Sequence, residues 1–548
     1  MLQIARKLEK MVYSLVLVVL LMAGGVCSGK EIIDLQVNFN QVVRKTSDKF
    51  LSVQFDDGLI QRHWQQIDFG SQLFSTLCKG LYPAYVRIGG TAQDMLHFQP
   101  DGHVTSIKDN LTENAYWDYV NKIGRQPFVN FNLTGKQLDQ LYHFFALSAN
   151  FTMVFGLNAL IRIGDNWDPS NAVKLLDYTS KRGYQMDFQL GNADDIKCLP
   201  LVGCSVPYLT TPEYVNRIEV ERDLPEPEPN DFYKYNFTVE PQDLGEDFLT
   251  LRKLMDTYQL YKTSQLTGPD TTRPNHKKTL HFLDKVIKHA TPVLNAVTWH
   301  QYYTNGRTAT IDDFLDPALL DDLPGYIFNV THCVENYTKN PVIWLGETAS
   351  TFGGGTKGLS DRYVAGFMWL DKLGLCAKLG MDVVIRQAII GGNYALIHHD
   401  INTRIFSPNP DYWLSFLYKA LVGEQVLNVT VSRHSKYVRI YSHCTNTKRT
   451  GYLKGSITVY GLNLLEEDVT IILPPQLKSH PIEQYLLTPH LGDLTSQFVD
   501  LNGEKLDMVD DTTFPKMEPV QVKSVSLPSR TFGFFVLPKA AMPACLTF

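Results

Sequence analysis

The stretch Asn340-Pro341-Val342-Ile343-Trp344-Leu345-Gly346-Glu347 is a short apolar run that stops on a carboxylate. Runs of the same build recur along the chain: Phe50–Asp56, Ala84–Gly90, Thr152–Asn158, Gln185–Asn192, Ser264–Asp270, Ala296–Tyr302 and Met381–Gln387. Apolar residues at three- and four-residue spacing lie between several of them, over Asn171–Arg182, Phe248–Tyr258 and Thr279–His289. Asp361–Leu379 is longer and apolar around most of its girth, with Ser360 placed to cap it. Strands alternating with helices predict a (β/α)8 barrel, whose chemistry sits at the C-terminal strand ends. An open doubly wound sheet is the alternative. The one Gly-x-Gly-x-x-Gly, at Gly353–Gly358, falls several residues past its strand and gives no support to a dinucleotide site.

Beyond Val422 the texture becomes strand-rich: Tyr437–His443, Ser456–Leu462, Asp468–Leu473 and Thr531–Leu537. Ile32–Lys45 alternates in the same way, so both chain ends are expected to share one β domain. The expected division is residues 1–29 as a signal peptide, 30–48 joining the β domain, 49–420 as the barrel, and 421–548 as a β-sandwich. Two stretches interrupt the barrel pattern as excursions. Residues 97–140 are polar, and 193–227 carry Cys198, Cys204 and five prolines.

The chain has 548 residues, 44% of them hydrophobic and 20% charged, which is globular composition. Its net charge of −6 argues against nucleic-acid binding and leaves a polyanionic ligand dependent on a local basic patch. Arg6, Lys7 and Lys10 precede the apolar run Val12–Val26, and Ser28 or Gly29 follows as a cleavage point; this reads as a secretory signal. No later run is long enough to span a membrane. Sequons at Asn110, Asn132, Asn150, Asn236, Asn329, Asn336 and Asn428 fit a secreted glycoprotein.

Glu347 has the placement of a glycosidase nucleophile, at a rigid strand end, with a surface ion pair as the competing reading. A second carboxyl is required to protonate the leaving oxygen, and Glu228, Asp194 and Asp195 are the candidates. His300 is placed to hydrogen-bond a nearby carboxylate or to serve as a buried structural residue. No metal-ligand spacing, nucleophilic Ser motif or phosphate loop is present, and no cofactor or metal is expected. Gly353-Gly354-Gly355 reads as a flexible rim open to a polymeric ligand.

Several strings together resemble the heparanase family. They are Trp344-Leu345-Gly346-Glu347-Thr348, Gly353-Gly354-Gly355, Leu359-Ser360-Asp361, Ala365 through Gly374, Arg386-Gln387, Gly392-Asn393-Tyr394 and Pro410 through Ser415. Phe155 through Leu160, Trp299 through Tyr303 and Asn305 through Thr310 extend the likeness upstream. The resemblance implies a barrel flanked by a sandwich from both chain ends. It also implies retaining endo-cleavage of β-glucuronic linkages in heparan sulfate, and secretion or delivery to lysosomes. Heparan sulfate and its proteoglycans would be the partners, with peripheral association at the cell surface. Glu347 would be the nucleophile and Glu228 the acid/base. Asp56, Asn192, His300, Tyr302, Arg307, Gln387 and Tyr394 would line the pocket, and Cys444 would pair with Cys545.

The sequence departs from that family in three places. The family's Leu-Gly-Asn-Glu-Pro-Asn string is split here, with Leu190-Gly191-Asn192 separated from Glu228-Pro229-Asn230 by Ala193–Pro227. The stretch 97–140 lacks landmarks of the family's excised linker. The basic site is reduced to Arg273, Lys277 and Lys278, placed to contact heparan or simply solvated. Two rivals to an endo-acting enzyme follow: a catalytically impaired heparan-sulfate-binding protein, and an exo-acting glucuronidase.

Overall fold

Side-chain alternation builds the barrel. In the computed structural model, which describes residues 31–102, 130–192, 239–400, 402–434 and 436–546, the first strand is β1 (Glu31–Lys45). The barrel strands follow: β2 (Leu51–Asp56), β3 (Tyr85–Gly89), β4 (Thr152–Leu157), β5 (Asp187–Leu190), β6 (Leu266–Thr271), β7 (Ala296–Gln301), β8 (Ile343–Thr348) and β9 (Val383–Arg386). They close in the order β6-β7-β8-β9-β2-β3-β4-β5, with every pair parallel. Each strand is followed by a helix: α1 (Gln72–Gly80), α2 (Gly135–Tyr142), α3 (Ser170–Lys181), α4 (Pro241–Asp256), α5 (Lys277–Ala290), α6 (Asp322–Glu335), α7 (Ala365–Leu379) and α8 (Pro410–Leu421).

Outward residues such as Val53, Phe55, Val86, Ile88, Phe155, Trp299 and Leu345 join the core beneath the helices. Inward residues Tyr85, Val154, Ala296, Trp344, Val383 and Ile385 form a separate apolar floor inside the barrel. The Tyr85 and Trp344 rings lie 4.7 Å apart at its centre. Above that floor the same inward parity is polar, and the site grows from there.

The second unit is, among the described residues, an 11-stranded sheet. Its main strands are β10 (Val422–Val431), β11 (Val438–Thr445), β12 (Ile457–Asn463), β13 (Val469–Ile472), β14 (Ile482–Pro489) and β15 (Thr531–Leu537). β1 pairs antiparallel with β10 and parallel with β13, so the chain ends meet in one sheet as the alternation of Ile32–Lys45 predicts. Cys444 on β11 is bonded to Cys545, with Cα atoms 5.5 Å apart. Among the described residues no helix is long and apolar enough to cross a membrane.

Two expectations change. α7 begins at Ala365, and Ser360 does not cap it. The Ser360 hydroxyl instead accepts from the Thr356 amide and the Ser350 hydroxyl, each at 2.8 Å, which closes the loop before the helix. The stretch 97–140 is not a surface excursion at its described ends, 97–102 and 130–140, and the residues between lie outside the described ones. Leu96–Gln99 pairs with Phe131–Thr134, and Thr134 caps α2 through the Gln137 amide at 3.2 Å. Phe131, Leu133 and Leu138 are buried, so apolar burial holds this end against the barrel despite the polar average composition.

Closing a loop of 101 residues with one disulfide stabilises by up to about 4–5 kcal/mol in the chain-entropy picture. Cys545→Ser is therefore expected to lower the melting temperature of the secreted protein, and peptide mapping without reduction should recover the Cys444–Cys545 pair. The barrel floor gives a second expectation. Burial pushes the Asp187 carboxyl up to about 6, outweighing its hydrogen bond from the Gln265 amide and the charge of Lys49. Its folded value then exceeds the unfolded one of about 4, so the native state holds a proton that the unfolded chain releases. This stabilisation is complete below about pH 4 and is lost as the pH rises through about 6. Asp94, Asp371 and Asp411 are pushed the same way by burial. Thermal melts should show higher stability at about pH 5 than at about pH 7, with a smaller difference in Asp187→Asn.

Candidate active site

The centre of the site is a cation that occupies the barrel interior. Arg87, inward on β3, is fully buried. Its Nη1 donates to Glu347 Oε2 and to Gln54 Oε1, both at 2.7 Å. Its Nη2 donates to Asn192 Oδ1 at 2.9 Å and to Asp270 Oδ2 at 3.0 Å. One planar guanidinium thus ties together β2, β6, β8 and the end of β5, a fork geometry that Lys lacks.

Both carboxylates on Arg87 come from strand ends where alternation is broken. Along β8, Trp344 faces inward, so Gly346 and Thr348 should also face in and Glu347 out. The register against β7 slips by one residue at that point, so that Trp299 opposes Leu345 while His300 opposes Glu347. This bulge turns Glu347 into the barrel. On β6 the register slips between Pro269 and Thr271, and Asp270 takes a left-handed φ of 58°, with its amide donating to Thr298 Oγ1 at 2.9 Å. Gly346 leaves room for this: a Cβ there would come within 2.8 Å of Asp270 Oδ1.

Glu347 is 8% exposed. Its Oε1 accepts from the Tyr302 hydroxyl at 2.7 Å, and its Oε2 also accepts from Gln54 Nε2 at 3.0 Å. Burial raises its pKa, but His300, Arg87 and the hydrogen bonds from Tyr302 and Gln54 outweigh burial, so the carboxyl is held below its ordinary value. Asp270 is likewise held far down, as Arg87 and His300 overcome its burial, and His300 Nε2 lies 3.2 Å from its Oδ1. Asp56, Asp57 and Asp94 shift the other way, raised chiefly by burial. The mouth therefore holds Glu347 and Asp270 ionised beside carboxyls that resist ionisation, a split that suits a carboxylate nucleophile.

The other expected pocket residues form a second chain at the mouth. Gln387 Nε2 donates to Asp56 Oδ2 at 2.8 Å and to the Tyr394 hydroxyl at 3.1 Å. The Tyr302 and Tyr394 rings stack at 6.4 Å. The Asn192 amide donates to Asp94 Oδ2 at 2.9 Å, anchoring the end of β5. Arg307 is exposed on the rim beyond Tyr302. Arg273 is half-buried in the loop after β6, and Lys277 and Lys278 are exposed where α5 begins, on the same C-terminal face as Glu347. Glu228, Asp194 and Asp195, with the sequons Asn110 and Asn236, lie outside the described residues. Of the other sequons, Asn150, Asn336 and Asn428 are exposed. Asn132 and Asn329 are half-buried, and the Asn329 side-chain Nδ2 donates to the Pro274 carbonyl at 3.1 Å.

The glycine rim is more tightly held than its composition predicts. The Gly354 and Gly355 carbonyls accept from the Asn393 amide and side chain, at 2.6 and 3.2 Å. Gly355 has a φ of 84°, and a Cβ there would meet the Asn393 carbonyl carbon at 2.9 Å, so only glycine fits. Among the described residues no group of three or more His, Cys, Asp or Glu is arranged to hold a metal ion.

Arg87 and Gln54 are the residues that motif reading missed. Both stand in the strand runs Phe50–Asp56 and Ala84–Gly90, where period-two counting from the apolar outward positions turns both inward. A lone arginine facing a barrel interior demands buried carboxylates, which was the available signal.

The model of glycosyl hydrolase family 79, N-terminal domain, matches residues 60–204 and 234–374. The chain is 36% identical to heparanase of Gallus gallus, covering 94% of this chain and 96% of the relative. It is 33% identical to hyaluronoglucuronidase of Hirudo nipponia, covering 93% and 98%. It is 32% identical to inactive heparanase-2 of Mus musculus, covering 94% and 90%.

Removing the central cation should be severe. Arg87→Met strips two buried carboxylates of their guanidinium partner and is expected to cost about 3–5 kcal/mol. Arg87→Lys keeps the charge but cannot span both pairs of acceptors, and should lose less. Urea unfolding of the two variants beside the parent protein measures this order.

Proposed function

The chain belongs to glycosyl hydrolase family 79, and on that premise we propose that it is a secreted or lysosomal retaining endo-β-glucuronidase acting on heparan sulfate. The observation that carries the reading is the Glu347 carboxylate, held ionised at the barrel mouth by His300, Arg87, Tyr302 and Gln54. In the proposed reaction a Glu347 oxygen bonds to the anomeric carbon as the glycosidic C–O bond breaks, and Glu228 gives its proton to the leaving oxygen. Glu228 then takes a proton from water, whose oxygen displaces Glu347 from that carbon; both carboxyls are restored and the β configuration is kept. Glu347 serves as nucleophile first and leaving group second. The donors that stabilise its charge help the second step, because they favour the free carboxylate over the ester.

Asp56, Asn192, His300, Gln387 and Tyr394 surround the reacting sugar in this reading. Arg307, Arg273, Lys277 and Lys278 supply cations to the flanking sulfates and carboxylates. The net charge of −6 gives no general attraction, so binding should weaken steeply with salt.

A second reading, a heparan-sulfate-binding protein without catalysis, is favoured by the likeness to inactive heparanase-2 and by the residues inserted between Asn192 and Glu228. Size analysis of long heparan sulfate chains after incubation separates the two, and hyaluronan in parallel tests the choice of β-glucuronide polymer. Mid-sized fragments mark endo action, and monosaccharide release marks exo action. Glu347→Gln and Glu228→Gln are each expected to lower turnover by at least about 10³-fold while heparan binding persists. Deletion of 193–227, which rejoins Asn192 to Glu228, should leave activity equal or higher. An intact chain and a folded deletion variant that both cleave neither polymer would establish the non-catalytic reading.

A further inference from the structure

The string Ala365 through Gly374 on α7 supplies no group to the site, yet two consecutive buried charged side chains on it meet different units. Asp371 accepts from the Tyr441 hydroxyl at 2.6 Å and lies 3.3 Å from Arg439 Nη1, both on β11 of the β domain. Lys372 faces the barrel wall. Its Nζ donates to Thr348 Oγ1 at 2.6 Å and to the Ala349 carbonyl at 2.8 Å, and sits 4.4 Å from the centre of the Tyr303 ring.

Thr348 and Ala349 follow Glu347 directly. The Thr348 hydroxyl donates its own proton to the Gln301 carbonyl on β7, so its lone pairs are left for Lys372. Without the bulge, alternation from Trp344 would aim Thr348 into the barrel and Glu347 out of it. Lys372 and Gln301 hold Thr348 on the outer face, and that is the face it must occupy if Glu347 is to point inward. Burial pushes the Lys372 ammonium well below its ordinary pKa. An uncharged amine still carries two N–H donors, and two acceptors stand in front of it, so its geometry rather than its charge does the holding.

We propose that Lys372 is a positioning residue for Glu347: hydrogen-bonded to Thr348 and Ala349 across the barrel wall, it holds the β8 bulge that turns the Glu347 carboxylate into the site. The same helix turn carries Asp371, so the β domain braces this contact from behind. The inference deepens the glycosidase reading, and its kinetic readout rests on that reading; its structural readout does not.

The test uses the full chain with Lys372→Met and, separately, Thr348→Val, which removes the acceptor for Lys372 together with the donor to Gln301 and keeps the amine. Both are expected to lower kcat on heparan sulfate oligosaccharides by about tenfold or more, the scale set by a small displacement of a reacting group. KM should stay within about twofold, because substrate contacts are untouched. Covalent trapping of Glu347 by a 2-deoxy-2-fluoro-glucuronyl fluoride should slow in parallel. Crystal structures of the variants should show the 2.7 Å Tyr302–Glu347 hydrogen bond broken. A folded variant with a lower melting temperature but unchanged kcat and an unmoved Glu347 would overturn the proposal and leave Lys372 a structural residue. If Lys372→Met does not fold, Thr348→Val decides by the same readouts. If the parent chain cleaves nothing, the glycosidase reading fails by itself. The position of Glu347 in the variant crystals then still decides for or against Lys372.

Discussion

A guanidinium buried in the middle of a barrel is the constraint on which this structure depends. Taking Arg87 out of water is costly unless anions and acceptors surround it. The chain provides Glu347, Asp270, Gln54 and Asn192, drawn from three strands and the end of a fourth. Each partner is in turn held by something else: Glu347 by Tyr302, Asp270 by Thr298 and His300, Gln54 by the Gly89 carbonyl, and Asn192 by Asp94. The arrangement fixes the charge state of the mouth. Carboxyls in direct contact with Arg87 and His300 stay ionised, and those whose burial outweighs their remaining partners, such as Asp57 and Asp94, are driven toward the neutral form.

The barrel interior is layered, and the layers explain why the site is where it is. An apolar floor centred on Tyr85 and Trp344 closes the N-terminal end. Polar inward residues occupy the next level, and the mouth holds the carboxylates. A regular barrel would have stopped at alternation. Two bulged strand ends add what alternation cannot deliver, a pair of acidic side chains that converge on one cation. Irregular backbone at strand ends next to reacting groups is a recurrent solution, because it re-aims a side chain without moving the sheet.

Support for these irregular ends comes from outside the barrel. Lys372 holds the turn after Glu347, and Arg386 does similar work one strand on, donating to the Tyr394 carbonyl at 2.9 Å while paired with Asp411 at 2.8 Å. Helix α7 connects this outer shell to the β domain through Asp371, Tyr441 and Arg439. The β domain, built from both chain ends and bonded through Cys444 and Cys545, is therefore mechanically continuous with the strand that carries Glu347.

The sequence by itself located the barrel strands along the chain. Apolar runs ending in Asp56, Asn158, Asp270, Glu347 and Gln387 locate the barrel strands because burial on the outer face requires period-two apolar residues, a local property. The family strings marked Glu347 for the same reason: strand, glycine and carboxylate are adjacent in the chain. Arg87 and Gln54 stood in view but had no visible partners, since a buried ion pair exists only once β3 faces β8 across a closed barrel. Ser360 looked like a helix cap because its local neighbours permit one; a contact with Ser350 and Thr356 took it instead. The glycine rim looked loose because composition does not show the Asn393 backbone lying against it. Most of all, alternation read along Ile343–Thr348 points Glu347 away from the site. Only the tertiary structure reverses it, because the bulge is held by Gln301 and Lys372, groups distant in sequence that meet Thr348 when the barrel and its helices close.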